Sequence, residues 1–462
     1  MPLDNHFDLV VIGSGPAGQK GAIAAAKHRK RVAVIDRGEM IGGCSVHLGT
    51  IPSKSLREAI LYLSGINQRA FYGEDYRVKD TISADDLRLR VRQILEGETA
   101  VVRAQLKRNG VTTIDGTARF TDPHSLSIET DGPIKDVTGD YVLVTCGTRP
   151  AASANIPIDG KRIFNSDQLR ELNEIPRELI VVGGGVIGIE YASMFAALNT
   201  KVTLIEQRDT VLDFADLEIV QALEVHLRSL GVTFRLGETV VSVRLDEQGR
   251  VEACLESGKT VRGERLLYSV GRQGNSDSIS LASAGLSADA RGRIKVNEFF
   301  QTSVPHIYAA GDVIGFPALA AASMEQGRLA ANHMLGTPGH FAIETMPYGI
   351  YSIPEISMVG KTERELTEAK IPYEVGVSKF AELAKGKMIG DEIGLLKILF
   401  DPTSLKLLGV HVIGEGATEI VHIGQAVLAL GGTLAYMRDA VFNYPTLAEA
   451  YKVAALNGFN KL

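Results

Sequence analysis

The sequence predicts an α/β fold in which two Rossmann-like dinucleotide-binding domains are followed by a further domain. Two observations predict it. The chain has 462 residues, too many for one core, and its 45% apolar content with 48 glycines is typical of a globular α/β protein. A glycine-rich strand–turn–helix pattern also occurs twice at a fixed spacing. We therefore expect about three domains, two of which share one architecture.

Charge and cysteine usage exclude several classes of partner and site. A net charge of -6 gives no general reason to expect nucleic acid or an anionic membrane as a partner. Residues 8–18 have the pattern of a strand that enters a glycine turn, so no secretory signal is expected there. Cys44, Cys146 and Cys254 stand at unrelated spacings and predict neither a disulfide framework nor a metal site. The expected compartment is the cytoplasm.

The first predicted element is a strand, a turn and a helix that recur later in the chain. The segment Asp8–Gly18 returns as Glu178–Gly188, and the next strand, Arg31–Asp36, returns as Lys201–Glu206 at the same spacing. Each copy has an apolar strand, a G-x-G-x-x-G turn, an alanine-rich helix and a second strand that ends in a carboxylate. The turn glycines are Gly13, Gly15 and Gly18 in the first copy and Gly183, Gly185 and Gly188 in the second.

Each residue type in this pattern suits a bound dinucleotide. The first glycine permits the tight turn, the second lets the backbone approach a pyrophosphate, and the third lets helix and strand pack closely. Unpaired N–H groups at the helix start attract the diphosphate anion. The carboxylates of Asp36 and Glu206 are placed to accept hydrogen bonds from adenosine ribose hydroxyls. Two complete copies predict two bound dinucleotides.

The N-terminal copy needs a later segment to enclose its ligand. Residues 302–312 have the pattern of an apolar strand that ends in Gly311 and Asp312, and a helix pattern follows over 318–335. We predict that this segment returns to the first domain and completes it.

Further motifs carry a family resemblance. In chain order they are Gly13–Gly18, Gly42–Gly43, Ile51–Lys54, Cys146–Pro150, Gly183–Gly188, Ala309–Asp312, Ile353–Gly360 and Pro445–Glu449. Along essentially its whole length the chain resembles the flavoproteins with two dinucleotide-binding domains, the family of lipoamide dehydrogenase and glutathione reductase. The resemblance implies FAD on the N-terminal copy and a nicotinamide dinucleotide, NAD(H) or NADP(H), on the second. It also implies a C-terminal α+β dimerisation domain that closes a homodimer.

The resemblance implies roles for particular residues. Asp36 would bind the FAD ribose and Asp312 the ribityl–pyrophosphate region, while the helix start near Ala318 would face the flavin N1/C2 edge, where reduced flavin is negative. Lys54 and Glu190 correspond to an ion pair beside flavin N5 and are the predicted catalytic residues. The predicted cofactor-binding residues are Gly13, Gly15, Gly18, Asp36, Arg37, Gly42, Gly43, Cys44, Lys54, Gly147, Gly183, Gly185, Gly188, Glu206, Arg208, Gly271, Gly311 and Asp312.

The sequence departs from the disulfide reductases of that family at their redox cysteines. Those enzymes carry two cysteines, five residues apart, before the Ile-Pro-Ser-Lys segment, and the corresponding positions here are Ser45 and Thr50. Hydroxyl groups form no disulfide and do not carry two electrons as a thiol pair does. Cys44 is one position out of register, and we interpret it as a small buried thiol near the flavin rather than a catalytic one.

The C-terminal end of the sequence also differs from the disulfide reductases. Disulfide reductases place a histidine immediately before Pro-Thr as the base for their thiols, whereas Tyr444 stands before Pro445 in this chain, although Glu449 remains. Tyrosine is a poor base for a thiol at neutral pH. The thiol machinery is therefore incomplete at both ends, while the cofactor machinery is complete, and the flavin is the expected redox centre.

One branch of the family shares this combination. Gly49–Glu58, Asn443–Tyr451 and Val453–Gly458 resemble the soluble (Si-specific) pyridine nucleotide transhydrogenases, from which Ser45 departs because a cysteine is usual there. The resemblance implies that FAD takes hydride from NADPH and passes it to NAD. Two alternatives stay open from the sequence. One is an NAD(P)H dehydrogenase that reduces a quinone or dye, and the other is a dimeric scaffold without catalysis.

Nucleotide preference depends on the end of the second-copy strand. Glu206 favours the ribose 2′-hydroxyl of NAD over the 2′-phosphate of NADP. Arg208 either offsets that preference by contacting the phosphate or is an exposed loop arginine.

We place domain boundaries so that an FAD-binding domain spans 1–148 and 277–340, an NAD(P)-binding domain spans 149–276, and the dimerisation domain spans 341–462.

Overall fold

The computed structural model describes residues 5–73 and 75–462. Its first part is built on one sheet. The helices and strands of this part are β1 (His6–Ile12), α1 (Pro16–Lys27), β2 (Val32–Asp36), α2 (Gly43–His47), α3 (Thr50–Ser64), α4 (Arg69–Tyr72), α5 (Ala84–Arg108), β3 (Thr112–Asp115), β4 (Thr117–Asp122), β5 (Ser125–Glu129) and β6 (Lys135–Val144). The strand order is β3-β2-β1-β6-β5-β4, with β1 parallel to both of its neighbours. The helices α1, α5 and Ala320–Met334 lie on one face of this sheet, and β4, β5 and residues 279–313 pack on the other.

The apolar run of β1 explains its central place in this sheet. Leu9 and Val11 belong to a core on one face, and Val10 and Ile12 belong to a core on the other face. All four side chains are at least 95% buried. A strand that is apolar on both faces is stable only between two covering layers.

The second part repeats this plan. It comprises β7 (Thr148–Pro150), β8 (Ile163–Asn165), β9 (Glu178–Val182), α6 (Val186–Ala197), β10 (Lys201–Glu206), α7 (Leu217–Ser229), β11 (Thr233–Leu236), β12 (Val240–Leu245), β13 (Val251–Leu255), β14 (Thr260–Gly263), β15 (Arg265–Tyr268) and β16 (Arg272–Gly274). The order β11-β10-β9-β15-β8 is parallel throughout, and β12–β14 form a separate antiparallel sheet. Both predicted strand–turn–helix–strand units are thus present, as β1-α1-β2 and β9-α6-β10.

The chain then returns to the first sheet through β17 (Ile307–Ala309) and α8 (Ala320–Met334). Strand β17 pairs in parallel with β6, and α8 packs so closely on α1 that a Cβ on Gly327 would overlap the carbonyl oxygen of Ala17. The strand predicted over 302–312 is too long, because residues 302–307 turn back on themselves through backbone hydrogen bonds. The predicted helix also begins two residues too early, since Ala318 adopts a positive φ of 42°.

The last part is an antiparallel sheet with helices against it. It comprises β18 (Tyr348–Ile350), β19 (Ile356–Gly360), α9 (Glu363–Glu368), β20 (Glu374–Lys379), α10 (Ala384–Ile389), β21 (Leu395–Phe400), β22 (Leu407–Ile413), α11 (Ala417–Ala429), α12 (Leu434–Asp439) and α13 (Glu449–Phe459). The strand order is β18-β19-β22-β21-β20. Strand β21 is buried at every position, and its residues Leu396, Ile398 and Phe400 share one core with residues of β22, α11 and α13.

A buried lysine joins this last part to the second sheet. Lys397 of β21 is 2% exposed, and its ammonium contacts Asp216 and Glu218 at 3.0 Å each and also Glu363. Burial alone would lower the pKa of Lys397, but the surrounding carboxylates raise it above its ordinary value. The start of α7 is therefore fixed to the C-terminal sheet by a charged cluster.

No helix in the described ranges has the length and apolar character needed to cross a membrane. The same residues contain no cluster of His, Cys, Asp and Glu that could hold a metal ion.

Candidate active site

The turn between β1 and α1 forms an open anion-binding end of a helix. Gly13 has φ 99°, and Gly18 lies so close to Gly13 that a Cβ there would overlap the Gly13 carbonyl oxygen. Gly15 is the N-cap of α1 and has no side chain to cap the first N–H groups. These groups, together with the helix dipole, favour a phosphate at this position.

A second pair of glycines lies against this turn. A Cβ on Gly43 would stand 2.7 Å from the Cα of Gly15, so two backbones meet without side chains between them. Gly42 precedes Gly43 at φ 108°, a conformation that glycine adopts readily. The predicted residues Gly13, Gly15, Gly18, Gly42 and Gly43 therefore lie in one glycine-rich turn region, called the cradle below, in which added side chains would clash at every position except Gly15.

Asp36 lies at the end of β2 beside this cradle. One of its oxygens accepts hydrogen bonds from the backbone N–H and the hydroxyl of Ser14, at 2.7 and 2.6 Å, and the other accepts from the N–H of Arg37 at 2.8 Å. Burial raises the pKa of Asp36, while these donors oppose the rise. The carboxylate thus fixes the shape of the turn, and Ser14 is a contact that the sequence analysis did not single out.

Gly311 and Asp312 close the other side of the cradle. Gly311 has φ 82°, and its N–H donates to the side chain of Gln326 at 2.9 Å. The Thr148 hydroxyl donates to Asp312 at 3.4 Å. Gly147 lies next to Thr148 with φ 66° and no atom within 4 Å of a would-be Cβ.

The second fingerprint turn, between β9 and α6, has the same construction. Gly183 has φ 108°, and a Cβ on Gly188 would overlap the carbonyl oxygen of Gly183. Gly185 caps α6, and no atom lies within 4 Å of a Cβ placed there. The Gly184 N–H donates to Glu206 at 2.6 Å. Gly271, also predicted, has φ 81° and a similarly open Cβ position.

Glu206 is buried beneath an arginine. Its side chain is 4% exposed, and one oxygen accepts from both the N–H and the Nε of Arg208 at 3.0 Å each. The guanidinium also contacts Asp213 at 2.7 Å. Burial opposes the charge of Glu206, but Arg208 and the N–H of Gly184 lower its pKa. Arg208 therefore lies against the predicted ribose carboxylate rather than pointing freely into solvent.

Lys54 and Glu190 form an ion pair between α3 and α6. The Lys54 ammonium donates to both oxygens of Glu190, at 2.8 and 2.9 Å. Glu190 is 4% exposed on its side chain, whereas Lys54 keeps about a quarter of its surface open, at 25%. A carboxylate this deeply buried is stable only with its partner in place. The structure thus brings together the two predicted catalytic residues, which are 136 positions apart.

Tyr351 completes this pair from the C-terminal part of the chain. Its backbone N–H donates to Glu190 at 2.9 Å, and its ring lies 4.9 Å from the Lys54 ammonium. An ammonium over an aromatic face is attracted by the ring quadrupole. Sequence reasoning missed Tyr351, because a tyrosine after a short strand carries no signal of its own.

Cys44 contacts a second residue that sequence reasoning missed. Its sulfur lies 3.3 Å from the guanidinium of Arg272, which also donates to the Thr148 carbonyl at 2.8 Å and contacts Asp167 at 3.3 Å. Burial raises the pKa of Cys44 to about 11, although the Arg272 charge opposes the rise. A thiol with this pKa is mostly in its protonated, weakly nucleophilic form at neutral pH.

Comparisons with known proteins identify the family of the chain. Residues 7–327 match the model of the pyridine nucleotide-disulphide oxidoreductase family, and residues 346–455 match the dimerisation domain of the same family. The chain belongs to this family. The two matches together include every predicted site residue.

Curated relatives and solved structures extend over the whole chain. A soluble pyridine nucleotide transhydrogenase of Mycobacterium bovis BCG is 56% identical over 99% of this chain and 98% of its own length, and one of Serratia proteamaculans is 44% identical over 99% of each. Among solved structures, LpdA from Mycobacterium tuberculosis has a TM-score of 0.89 at 27% identity, covering 97% of this chain and 99% of its own. The Cu(II) complex of the HOCl-induced flavoprotein disulfide reductase RclA from Escherichia coli has a TM-score of 0.88 at 26% identity, covering 98% and 99%.

This family member has no sulfur pair within its described residues. Cys44, Cys146 and Cys254 are all free. Ser45 lies within α2, and Thr50 is the first residue of α3. Burial also raises the pKa of Cys146, to about 12. The site thus combines two dinucleotide turns and a buried ion pair with thiols that are held protonated.

The Cys44 thiol gives a pH-dependent prediction. We expect iodoacetamide to modify Cys44 about a hundredfold more slowly in the folded protein than in the protein unfolded in urea, because a pKa of about 11 instead of 9.0 reduces the thiolate fraction by that factor. Mass spectrometry of the Cys44 peptide measures both rates at pH 7.5. Because the raised pKa lies above the assay pH, the thiolate fraction of Cys44 grows with pH. The modification rate of the folded protein should therefore rise about tenfold per pH unit up to about pH 10. Equal rates in the two states would show that the fold does not raise the pKa of Cys44, and faster modification of the folded protein would show a reactive thiolate.

Proposed function

We propose that this protein is an FAD-dependent soluble pyridine nucleotide transhydrogenase, which moves hydride between NADPH/NADP and NAD/NADH without a redox-active disulfide. The observation that carries the proposal is the complete set of dinucleotide turns and the Lys54–Glu190 pair beside redox positions that hold Ser45 and Thr50. The names of relatives with 56% and 44% identity over nearly the whole chain support it.

The N-terminal cradle fits FAD. The α1 N-terminus would receive the pyrophosphate at Gly15, where no side chain caps the N–H groups and no atom lies closer than 4.0 Å to a Cβ position, while Gly13 and Gly43 let the surrounding backbones pack closely. Asp36 would lie near the adenosine ribose, and Asp312 near the ribityl chain. When bound, the flavin accepts hydride from one nicotinamide and returns it to another. No acid or base is required for this transfer, because hydride moves as a unit.

Lys54 and Glu190 supply electrostatics rather than proton transfer. Glu190 holds the ammonium in one position through both of its oxygens, and the Tyr351 N–H fixes one of those oxygens in turn. A preorganised positive charge stabilises the negative charge that develops during reduction, and it does so without reorganisation. The pair is thus the part of this chain that we assign to catalysis.

One nucleotide site would serve both substrates in turn. The second fingerprint holds the pyrophosphate at the α6 N-terminus, as Gly185 leaves its space open. Glu206 would accept the ribose hydroxyl of NAD(H), and Arg208 would turn toward the 2′-phosphate of NADP(H). An NAD(P)H dehydrogenase that reduces quinones or dyes is the alternative with the same site. The relatives' names do not favour it.

The remaining assignments rest on the family. The matched dimerisation domain supports a homodimer, in which Tyr444, 68% exposed here, and Glu449 would line the partner's flavin pocket. We also propose the cytoplasm as compartment and domain boundaries at 148, 276 and 340. The sheet that β17 shares with β6 supports joining residues 277–340 to the first domain.

Initial-rate kinetics test the proposed function. With NADPH as donor and a thionicotinamide analogue of NAD as acceptor, we expect parallel double-reciprocal lines, because the first nucleotide leaves before the second binds. The same preparation is assayed with menadione. Converging lines would indicate that both nucleotides bind together, and a rate with menadione well above the rate with the NAD analogue would favour the quinone reductase.

A further inference from the structure

The loop that follows β10 holds one guanidinium between two carboxylates. Arg208 contacts buried Glu206 through its Nε at 3.0 Å and Asp213 through Nη1 at 2.7 Å. Arg208 and Asp213 are each 43% exposed, so solvent and a ligand can reach the Arg208–Asp213 pair. Glu206, by contrast, already accepts from the backbone N–H groups of Gly184 and Arg208.

Asp213 is fixed in space, whereas Arg208 has a long flexible side chain. The residues before Asp213, Val211 and Leu212, are fully buried, and the Leu212 N–H donates to the Gly184 carbonyl at 3.0 Å. The backbone carbonyl of Asp213 accepts from Arg364 at 3.0 Å. The loop is therefore attached to the fingerprint turn on one side and to the C-terminal part on the other. A movement of Arg208 toward a ligand would leave Asp213 behind.

The two nucleotides make different demands on this arrangement. A ribose 2′-hydroxyl needs an acceptor, and a 2′-phosphate needs a cation and carries close to two negative charges at neutral pH, by analogy with about -1.5 to -2 for other phosphate monoesters. Asp213 competes with the phosphate for the guanidinium of Arg208, which it holds through Nη1, and its own charge repels the phosphate. Asp213 thus opposes NADP(H) binding in two ways, by holding Arg208 and by repelling the 2′-phosphate. NAD(H) carries no 2′-phosphate and needs no cation there, so Asp213 opposes its binding less.

We propose that Asp213 is a specificity-determining residue, which lowers the affinity for NADP(H) relative to NAD(H) by holding the guanidinium of Arg208. This inference rests on the proposed use of both nucleotides at the second fingerprint. In this role Asp213 is a counter-ion for Arg208 that sets the ratio of the affinities for NADP(H) and NAD(H) at one site. Asp213 acts through Arg208 and is therefore a positioning residue.

Binding of the oxidised nucleotides to the purified FAD-loaded protein tests this role without turnover. The ratio of the dissociation constants for NADP⁺ and NAD⁺ is measured by calorimetry at low ionic strength. We expect Asp213→Asn to lower this ratio about three- to fivefold, the size expected for a partly exposed ion pair. Asp209→Asn is the matched control. It removes the same charge four positions before Asp213, and among the described residues the ion-pair partners of Arg208 are Glu206 and Asp213 and not Asp209. We expect its ratio to stay at the wild-type value.

A double-mutant cycle separates positioning from direct repulsion. Arg208→Ala should raise the NADP⁺ dissociation constant while leaving that of NAD⁺ nearly unchanged, and in this background Asp213→Asn should lower the ratio clearly less than it does with Arg208 present, because only direct repulsion remains. An undiminished effect of Asp213→Asn without Arg208, an unchanged ratio with Arg208 present, or an equal effect of Asp209→Asn would each overturn the inference. Failure of the wild-type protein to bind NADP⁺ at all would instead overturn the proposed function, and the inference with it.

Discussion

Removal of the Lys54 and Glu190 charges together is expected to slow flavin reduction by NADH about a hundredfold, the usual cost of losing one preorganised electrostatic group. The double variant Lys54→Met/Glu190→Gln is the suitable variant for this test. It leaves neither charge buried and unpaired, whereas Lys54→Met alone would strand a carboxylate that is 4% exposed and cost about 3–5 kcal/mol of stability.

Anaerobic stopped-flow absorbance measures this rate in a single turnover. The flavin content and the thermal midpoint of the double variant should match the wild type, so that the loss belongs to hydride transfer and not to folding. Glu190→Gln alone keeps a hydrogen-bonding partner for the ammonium and should lose less. A double variant with full flavin content and the wild-type reduction rate would remove the pair from the mechanism.

Substitution of Gly185 by valine is expected to abolish nucleotide binding while the protein keeps its fold and its FAD. Gly185 has φ -79°, which any residue adopts, and no protein atom lies within 4 Å of its Cβ position. The protein therefore has room for the new side chain, but this is the space in which we propose that the pyrophosphate binds. We expect the dissociation constants of NAD⁺ and NADP⁺ to rise about a hundredfold or more, because a close backbone approach to the phosphates is lost.

Substitutions at two further glycines serve as comparisons for the loss of nucleotide binding in Gly185→Val. Gly188→Ala places a Cβ onto the Gly183 carbonyl oxygen, so we expect it to disturb the fold of the β9–α6 turn itself. Gly97→Val lies on α5, where the Cβ position is also open, and should change neither nucleotide binding nor FAD content. Normal nucleotide binding by Gly185→Val would show that the second fingerprint is not the nucleotide site.

The predictable parts of this molecule are those with a local pattern. The repeat predicted both strand–turn–helix–strand units, since glycine spacing and strand periodicity are properties of neighbouring residues. The contact between Lys54 and Glu190, 136 positions apart, was expected only through the family resemblance. No pattern within the chain specifies that α3 and α6 meet.

The residues that sequence reasoning missed are those whose partners lie far along the chain. Tyr351 reaches Glu190 from 161 positions away, and Arg272 reaches Cys44 from 228 positions away. Neither residue belongs to a chemical motif, and only the packing of separate sheets brings them to the site. Arg208 differs, because the sequence indicated its role but left its orientation open. That orientation depends on Asp213, whose position is set by the buried residues before it.

The central claim is that the bound flavin is the only store of electrons, because Ser45 and Thr50 replace the redox cysteines and Cys44 stays protonated. Anaerobic titration with dithionite, followed by absorbance and counted per bound FAD, tests it most directly. We expect uptake of one electron pair per subunit in a single phase. Uptake of a second pair before the flavin is fully reduced would reveal a sulfur couple and contradict the claim.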